Sequence, residues 1–335
     1  MKELPPSPPP YRRLSTFLFS QFGERVQKIT LDAGLSCPNR DGKISHDGCL
    51  YCNDRGSGTG AASQGKGITA QLQEGMERLH RRYGANKFIA YFQSFSNTYA
   101  PLAQLRALYE EALAFPEVVG LSIGTRPDCL TEDILQLLSD YTRTHAIWLE
   151  LGLQSAHDPT LQRIKRGHDA ACFARAIHQA AGRGLHLVAH VILGLPGESR
   201  AEMLATAEFL ASLPVDGVKI HLLYVARSTP LAKVYHSGDY QPLSLEDYVT
   251  VVVDFLEVLP PQMVIHRLTG DPHRGELVAP NWCLDKAQVL TRIHQTLAQR
   301  GSHQGKARPP LYIDILTNPL LPGDNLVPLE RPTIE

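Results

Sequence analysis

The sequence predicts an α/β protein built on a parallel sheet, and three observations carry that prediction. Short apolar or β-branched runs recur at intervals of roughly 30–35 residues. Helix-length segments with one apolar face separate them. Several runs are apolar at successive positions, as strands covered by helices on both faces require. Parallel neighbours need a crossover of a dozen or more residues, and these intervals supply one. A doubly wound sheet and a barrel both satisfy the pattern. In either, ligands gather beyond the carboxyl ends of the strands.

Taken in order, residues 1–14 form a Pro-rich arm containing Pro5, Pro6, Pro8, Pro9 and Pro10. The first strand is Val26–Leu31. The second is Phe88–Phe92, the third Val118–Ile123 and the fourth Ala146–Leu151. The fifth and sixth are Leu187–Leu193 and Gly217–Leu222. Two helices announce their starts. Thr131 offers a cap ahead of Glu132 and Asp133, with Ile134, Leu135, Leu137 and Leu138 as the apolar face. Ser199 and Glu202 form a capping-box pair. The body is expected over residues 15–260, followed by a C-terminal extension over 261–335 with a second Pro-rich tail.

Composition narrows the function. The 335 residues carry 33 Lys+Arg against 34 Asp+Glu, for a net charge of -1. A globally basic nucleic-acid binder is excluded, though a local basic patch is not. Hydrophobic residues are 43% and charged residues 20%, which rules out wholesale disorder. The N-terminus has no apolar signal-peptide core and no stretch approaches a membrane span. Six cysteines are too few for a secreted disulfide framework, so a reducing, cytoplasmic setting is expected.

Three of those cysteines share one Gly-rich segment after the first strand. Cys37, Cys49 and Cys52 are spaced C-x11-C-x2-C. Thiolates crowded on one loop repel, and metal coordination compensates. Two metal sites fit the segment, and cysteines unrelated to any metal are the third reading. With His46 the segment forms a Cys3His set able to hold a closed structural zinc. Three cysteines alone could hold an iron–sulfur cluster with one iron open to another ligand.

Further strings follow at the strand ends: Gly124-Thr125-Arg126-Pro127-Asp128, Glu150-Leu151-Gly152-Leu153-Gln154-Ser155, Arg166-Gly167-His168 and Gly194-Leu195-Pro196-Gly197-Glu198. Together with Cys37-Pro38-Asn39-Arg40-Asp41-Gly42 and Gly48-Cys49-Leu50-Tyr51-Cys52-Asn53, they resemble the radical S-adenosylmethionine (SAM) superfamily. The resemblance is to its YhcC-like branch, which is related to the Elongator subunit Elp3, and it runs from about Tyr11 to Trp282. It implies a partial (β/α)6 TIM-like barrel. It also implies a [4Fe-4S] cluster on Cys37, Cys49 and Cys52, with S-adenosylmethionine on the fourth iron. The implied activity is reductive cleavage of that cofactor to a 5′-deoxyadenosyl radical, fed by an external electron donor such as flavodoxin or ferredoxin. The commoner C-x3-C-x2-C spacing is absent, and an acetyltransferase region of the Elp3 kind is not expected.

The resemblance places cofactor contacts residue by residue. Tyr51 is expected on the adenine side; simple packing is its alternative. Gln93 and Ser94 stand where the superfamily holds the amino group, often through a Gly-Gly-Glu string that is absent here. Glu150 is assigned to the ribose hydroxyls, with a salt bridge to Arg126 or Arg166 as its alternative. Gln154 could join that network. Arg166 and Arg163 are placed toward the methionine carboxylate, with a surface role as Arg163's alternative, and Gly194, with Gly197, toward adenine, with an ordinary strand-to-helix turn as the alternative. Lys219 and His221 alternate on the sixth strand and line the substrate cavity if their face points inward. Cys129, Cys172 and Cys283 have no metal spacing, and burial is expected for each.

The substrate is the least determined part. The Elp3 relationship suggests modification of a tRNA base at wobble uridine. His80-Arg81-Arg82 and Arg163-Ile164-Lys165-Arg166 could meet RNA phosphates or serve only as solvated helix faces. Two other classes stay open: a structural zinc protein, and an iron–sulfur electron carrier that does not cleave S-adenosylmethionine.

Overall fold

A computed structural model of the chain describes residues 9–56, 58–272 and 275–308. The Pro-rich stretches over residues 1–8 and 309–335 lie outside the described residues. The chain runs α1 (Leu14–Phe22), β1 (Val26–Leu31), α2 (Ile68–Tyr83), β2 (Lys87–Phe92), α3 (Leu102–Leu113), β3 (Val118–Thr125) and α4 (Glu132–Tyr141). It continues β4 (Ala146–Gln154), α5 (Asp158–Arg163), α6 (Ala170–Ala180), β5 (His186–Leu193), α7 (Arg200–Ala211) and β6 (Gly217–Leu222). Last come β7 (Val225–Ala226), α8 (Pro230–His236), α9 (Leu245–Val258), β8 (Val264–Arg267), β9 (Leu277–Ala279) and α10 (Lys286–Gln299).

All six expected strands form, and they pair in sequence order β1-β2-β3-β4-β5-β6 with every neighbour parallel. A seventh strand, β8, adds beside β6. At four residues it is too short for a period-two signal, and it comes from the stretch read as the C-terminal extension. β7 and β9 form a separate antiparallel ribbon. β4 runs past its expected end at Leu151 because Gln154 pairs with Val191 beyond a bulge.

The sheet is a curled half-barrel, and its side chains show the curl. Lys28 on β1 and Lys219 on β6 both bond the carboxylate of Glu150 on β4. In a flat sheet β1 and β4 would lie about 14 Å apart, beyond a lysine's reach. The edge strands β1 and β8 stay unpaired with each other. α1 spans that gap, packing on both, and Arg13 bridges Ile265. Leu18 of α1 joins Val26, Ile89, Trp148 and Val188 in an apolar plug at the amino end of the half-barrel.

Outside the sheet, the main core joins strand and helix side chains such as Leu149 and Leu151 of β4 with Leu135 and Leu138 of α4. The helix starts are as expected. Thr131 Oγ1 accepts from the Ile134 N–H at 3.4 Å. Ser199 and Glu202 complete a reciprocal capping box at α7. α9 packs between α7 and α10, so the last helix is part of the same body.

Candidate active site

Strand alternation sorts the half-barrel interior into layers. Above the apolar plug, Lys28, Tyr91, Ser122, Glu150, His190 and Lys219 point inward. Higher still, the carboxyl ends of the strands and the β1–α2 loop enclose a cavity of about 540 Å³. Its floor is the charged layer, and its walls near the mouth carry Cys37, Cys49 and Cys52.

The cysteine loop is fixed by its own turns and by two neighbouring segments. Arg40 N–H donates to Cys37 O at 2.7 Å, and Cys52 N–H to Cys49 O at 3.0 Å. Leu50 N–H donates to Ile164 O at 3.0 Å, while Leu231 N–H donates to Leu50 O at 2.9 Å. Gly48 sits at φ 75°, and a Cβ there would meet Arg40 Nε at 2.4 Å. Its lack of a side chain lets the guanidinium cross and donate to the carbonyls of Cys52 and Asn53, both at 2.8 Å.

Cys49 is the most enclosed of the three thiols. Asn39 Nδ2 approaches its Sγ at 3.4 Å and Arg166 Nη1 at 3.7 Å. Burial raises its pKa, but the guanidiniums of Arg166 and Arg126 outweigh burial and hold the thiol below its ordinary value. Cys52 is pushed up, first by burial and then by Cys49. The other cysteines lie apart. Cys129 is buried outside this cavity and its thiol is pushed up to about 12 by desolvation. Cys283 is buried and bonded to Pro280 O. Cys172 is half-exposed on α6, contrary to the expected burial.

The predicted cofactor residues divide. Tyr51, Gln93, Gln154 and Arg166 line the cavity. Arg166 is buried, with Nη2 donating to Gly152 O at 2.9 Å. Gln154 at φ 75° and Phe95 at φ 61° hold left-handed backbone at the ends of β4 and β2. Such strain in non-glycine residues concentrates at functional sites. Ser94 is fully buried beside Gly58 and lies off the cavity wall. Gly194 also lies off the wall. Its carbonyl accepts from Tyr240 at 2.9 Å and its Cα faces Leu243. The open space at Gly197 is filled by Arg163, whose Nη1 donates to Pro196 O at 2.7 Å. Arg163 is therefore exposed and off the cavity wall.

Glu150 departs from both of its expected ion partners. Arg126 pairs with Asp128 and donates to Arg166 O. Glu150 instead accepts from Lys28 at 2.7 Å and His190 Nε2 at 2.7 Å, and also from Ser122 and Lys219. Both carboxylate oxygens are engaged, so a ribose diol would have to displace a donor. Burial opposes the charge, yet Lys219, Lys28 and His190 hold the carboxyl well below its usual range. Burial pushes Lys219 down to about 7 despite Glu150, and His190 down to about 4. His190 is therefore neutral near pH 7, with its proton on the nitrogen facing Glu150.

The face carrying Lys219 and His221 does point inward. Sequence reading passed over Lys28, Tyr91, Ser122, His190 and Arg267. A charged residue in the middle of a predicted strand was the available signal for Lys28. The basic clusters do not form one RNA-facing surface. His80, Arg81 and Arg82 end α2 and lead to the start of β2, opposite the mouth. Arg163-Ile164-Lys165-Arg166 splits into surface Arg163 and Lys165 and buried Ile164 and Arg166.

The radical SAM superfamily model matches residues 39–210, and the radical SAM C-terminal domain matches 215–299. The chain belongs to the radical SAM superfamily. It is 42% identical to YtqA of Bacillus subtilis over 296 residues, covering 88% of this chain and 92% of that protein. It is 40% identical to YhcC of Escherichia coli over 291 residues, covering 87% and 93%. A shorter match of 162 residues is 29% identical to Elongator complex protein 3 of Mus musculus, covering 47% of this chain and 29% of that protein. In fold, the chain is similar to the archaeal Methanocaldococcus infernus Elp3 lacking residues 1–46. The TM-score is 0.62 at 17% identity, over 83% of this chain and 64% of that one.

Members of the radical SAM superfamily are enzymes that bind a [4Fe-4S] cluster and S-adenosylmethionine, and these are this chain's cofactors. The residues fit a cluster better than a single ion. Among the described residues, no three His, Cys, Asp or Glu side chains converge tightly enough to chelate one metal. His46 is exposed, with its ring against Gly42, and does not line the cavity. The three thiols instead share one cavity wall beside amide and guanidinium donors, the hydrogen bonding that tunes cluster sulfurs. Among the described residues, no helix is long and apolar enough to cross a membrane.

Proposed function

We propose that this radical SAM enzyme modifies a nucleobase of tRNA, the wobble uridine, inside the half-barrel. One observation carries the reading. The three thiols, the strained strand ends and the charged floor all face one cavity of about 540 Å³, a volume suited to a nucleoside-sized group beside a cofactor. The similarity to Elongator complex protein 3 supports a tRNA substrate. A base acted on inside a polynucleotide must leave its stack, and a cavity opening at one end of the barrel suits a flipped base. Exposed Lys43 and Lys165 lie on the loops at the mouth, where phosphates would pass.

Cys37, Cys49 and Cys52 would hold the cluster, and Tyr51, Gln93, Gln154 and Arg166 would face S-adenosylmethionine. When bound, these cofactors supply reductive carbon–sulfur cleavage and a 5′-deoxyadenosyl radical for hydrogen abstraction. Arg166 and Asn39 donate toward Cys49 and favour its thiolate. Arg126 positions Arg166 through its carbonyl. The apolar plug excludes water from below. An external donor such as flavodoxin or ferredoxin delivers the electron.

The test is anaerobic reconstitution with iron and sulfide, reduction, and measurement of 5′-deoxyadenosine by chromatography. Nucleoside mass spectrometry follows on tRNA from the same reactions. Cofactor cleavage with a new modified uridine is expected. Cleavage with no change in any tRNA nucleoside would overturn the tRNA reading and leave the radical chemistry intact.

A further inference from the structure

The floor of the half-barrel is rich in donors and cations and poor in acceptors. Among the described residues its buried carboxylate is Glu150, which faces Lys28 and Lys219 with both oxygens already bonded, while Asp271 lines the cavity nearer the solvent. Arg267 lines the same cavity and, among the described residues, its ion pair is with Asp271, at 3.8 Å. Asp271 is more than half exposed and is shared with Lys286. His221 faces the cavity with a buried Nε2 that has no hydrogen-bond partner among the described residues. Its ring lies 5.2 Å from His190. The Lys219 ammonium also sits 4.0 Å from the Tyr91 ring centre, leaving N–H bonds beyond the one to Glu150. A buried site with surplus positive charge and an orphaned ring nitrogen, a donor in its Nε2–H tautomer, suits an anion.

We propose that the floor, through Lys219, His221 and Arg267, binds an oxyanion carried on the inserted base of the substrate, a carboxylate or phosphate group distinct from the backbone phosphates at the mouth. This deepens the reading of the barrel as a reaction chamber and rests on it. The group enters beneath the cysteine loop and points its charge toward β6 and β8. The rest of the substrate then extends upward toward the cysteines. An oxyanion satisfies the orphaned His221 nitrogen and the free Lys219 donors together. Arg267 adds a forked donor suited to either anion. The apolar plug beneath keeps water from screening these charges.

The test uses anaerobically reconstituted enzyme saturated with S-adenosylmethionine, so that the cofactor's own carboxylate site is filled. Acetate and inorganic phosphate are titrated by calorimetry. Binding of either supports the proposal, and the tighter of the two identifies the group as carboxylate or phosphate. Lys219→Met should weaken it at least about tenfold and Lys219→Arg by no more than about threefold. His221→Phe, which removes no internal hydrogen bond, should weaken it about threefold and guards against misfolding of the Met variant. Lys219→Met binding as tightly as the native protein would overturn the proposal. So would the absence of binding by the native enzyme up to about 50 mM of both anions. Cofactor cleavage is measured in the same samples. Cleavage without oxyanion binding sinks this proposal alone, whereas oxyanion binding without cleavage sinks the reaction-chamber reading.

Discussion

Glu150→Gln is the sharpest probe of the barrel interior, because it changes charge and almost nothing in shape. The native carboxylate accepts Lys28 at 2.7 Å and His190 at 2.7 Å, with Lys219 and Ser122 closing the set. The amide keeps one acceptor and turns its other end into a donor facing donors. Removing one partner of a buried ion pair costs about 3–5 kcal/mol. Lys219 already sits near 7 and would shed its proton once Glu150 is neutral, so the low end of that range, about 3 kcal/mol, is expected. For a chain of 335 residues that is a loss of about 4 °C in Tm. The assay is thermal and urea unfolding of the native protein, Glu150→Gln, Lys219→Met and the double variant. The double variant should recover at least about 1 kcal/mol relative to the sum of the singles. A Tm loss below about 2 °C for Glu150→Gln, or strict additivity, would refute the reasoning.

Four further outcomes follow from the same geometry. Cys49→Ser should assemble no normal iron–sulfur absorption, whereas Cys129→Ser and Cys283→Ser should retain it. Arg166→Lys loses the forked contact to Cys49 and Gly152, so the reduced cluster should become harder to reach, read as a lower midpoint potential in an electron-paramagnetic-resonance titration. Gly48→Ala should cost about 1–2 kcal/mol, because the left-handed backbone is strained and Arg40 must move; iron content per chain and the urea midpoint check it. Acid should destabilise the native protein as pH falls from the ordinary Glu value of 4.5 toward the lower folded value, because the unfolded chain binds the proton first. Tm followed from about pH 6 to pH 3 should fall less steeply in Glu150→Gln.

The sheet was legible because each strand carried its own signal. Apolar runs such as Phe88–Phe92 need no tertiary context, and Thr131 and Ser199 mark helix starts through local chemistry. The cysteine triad was equally local. What escaped was whatever depends on the curl. Lys28 and Glu150 are 122 residues apart, and nothing in either neighbourhood says that they meet. β8 escaped for another reason, since four residues show no periodicity. Glycines misled in the Gly194–Gly197 turn. Close backbone approach was the right inference, but the approaching group is Arg163 from α5.

The layering also explains why the charged floor can persist. Lys28, Glu150 and Lys219 exposed to bulk water would gain about 1 kcal/mol or less per pair, too little to fix three long side chains in one geometry. Sealed inside the barrel, the same contacts strengthen but desolvation grows, and a lone buried carboxylate against two lysines leaves charge over. α1 makes that arrangement possible. By bridging the unpaired edges of β1 and β8, it places Leu18 against Val26 and Trp148 and denies water the amino end. The floor is then wet only from the mouth, the direction from which a substrate must come. Weakening the plug should therefore act on the floor without touching it. Leu18→Ala removes apolar contact about two strand layers away, yet it should raise the pKa of Lys219 by admitting water, a shift that isotope-edited NMR of the lysine side chains would detect. A Lys219 that titrates unchanged in that variant would mean the plug does not set the dielectric of the cavity.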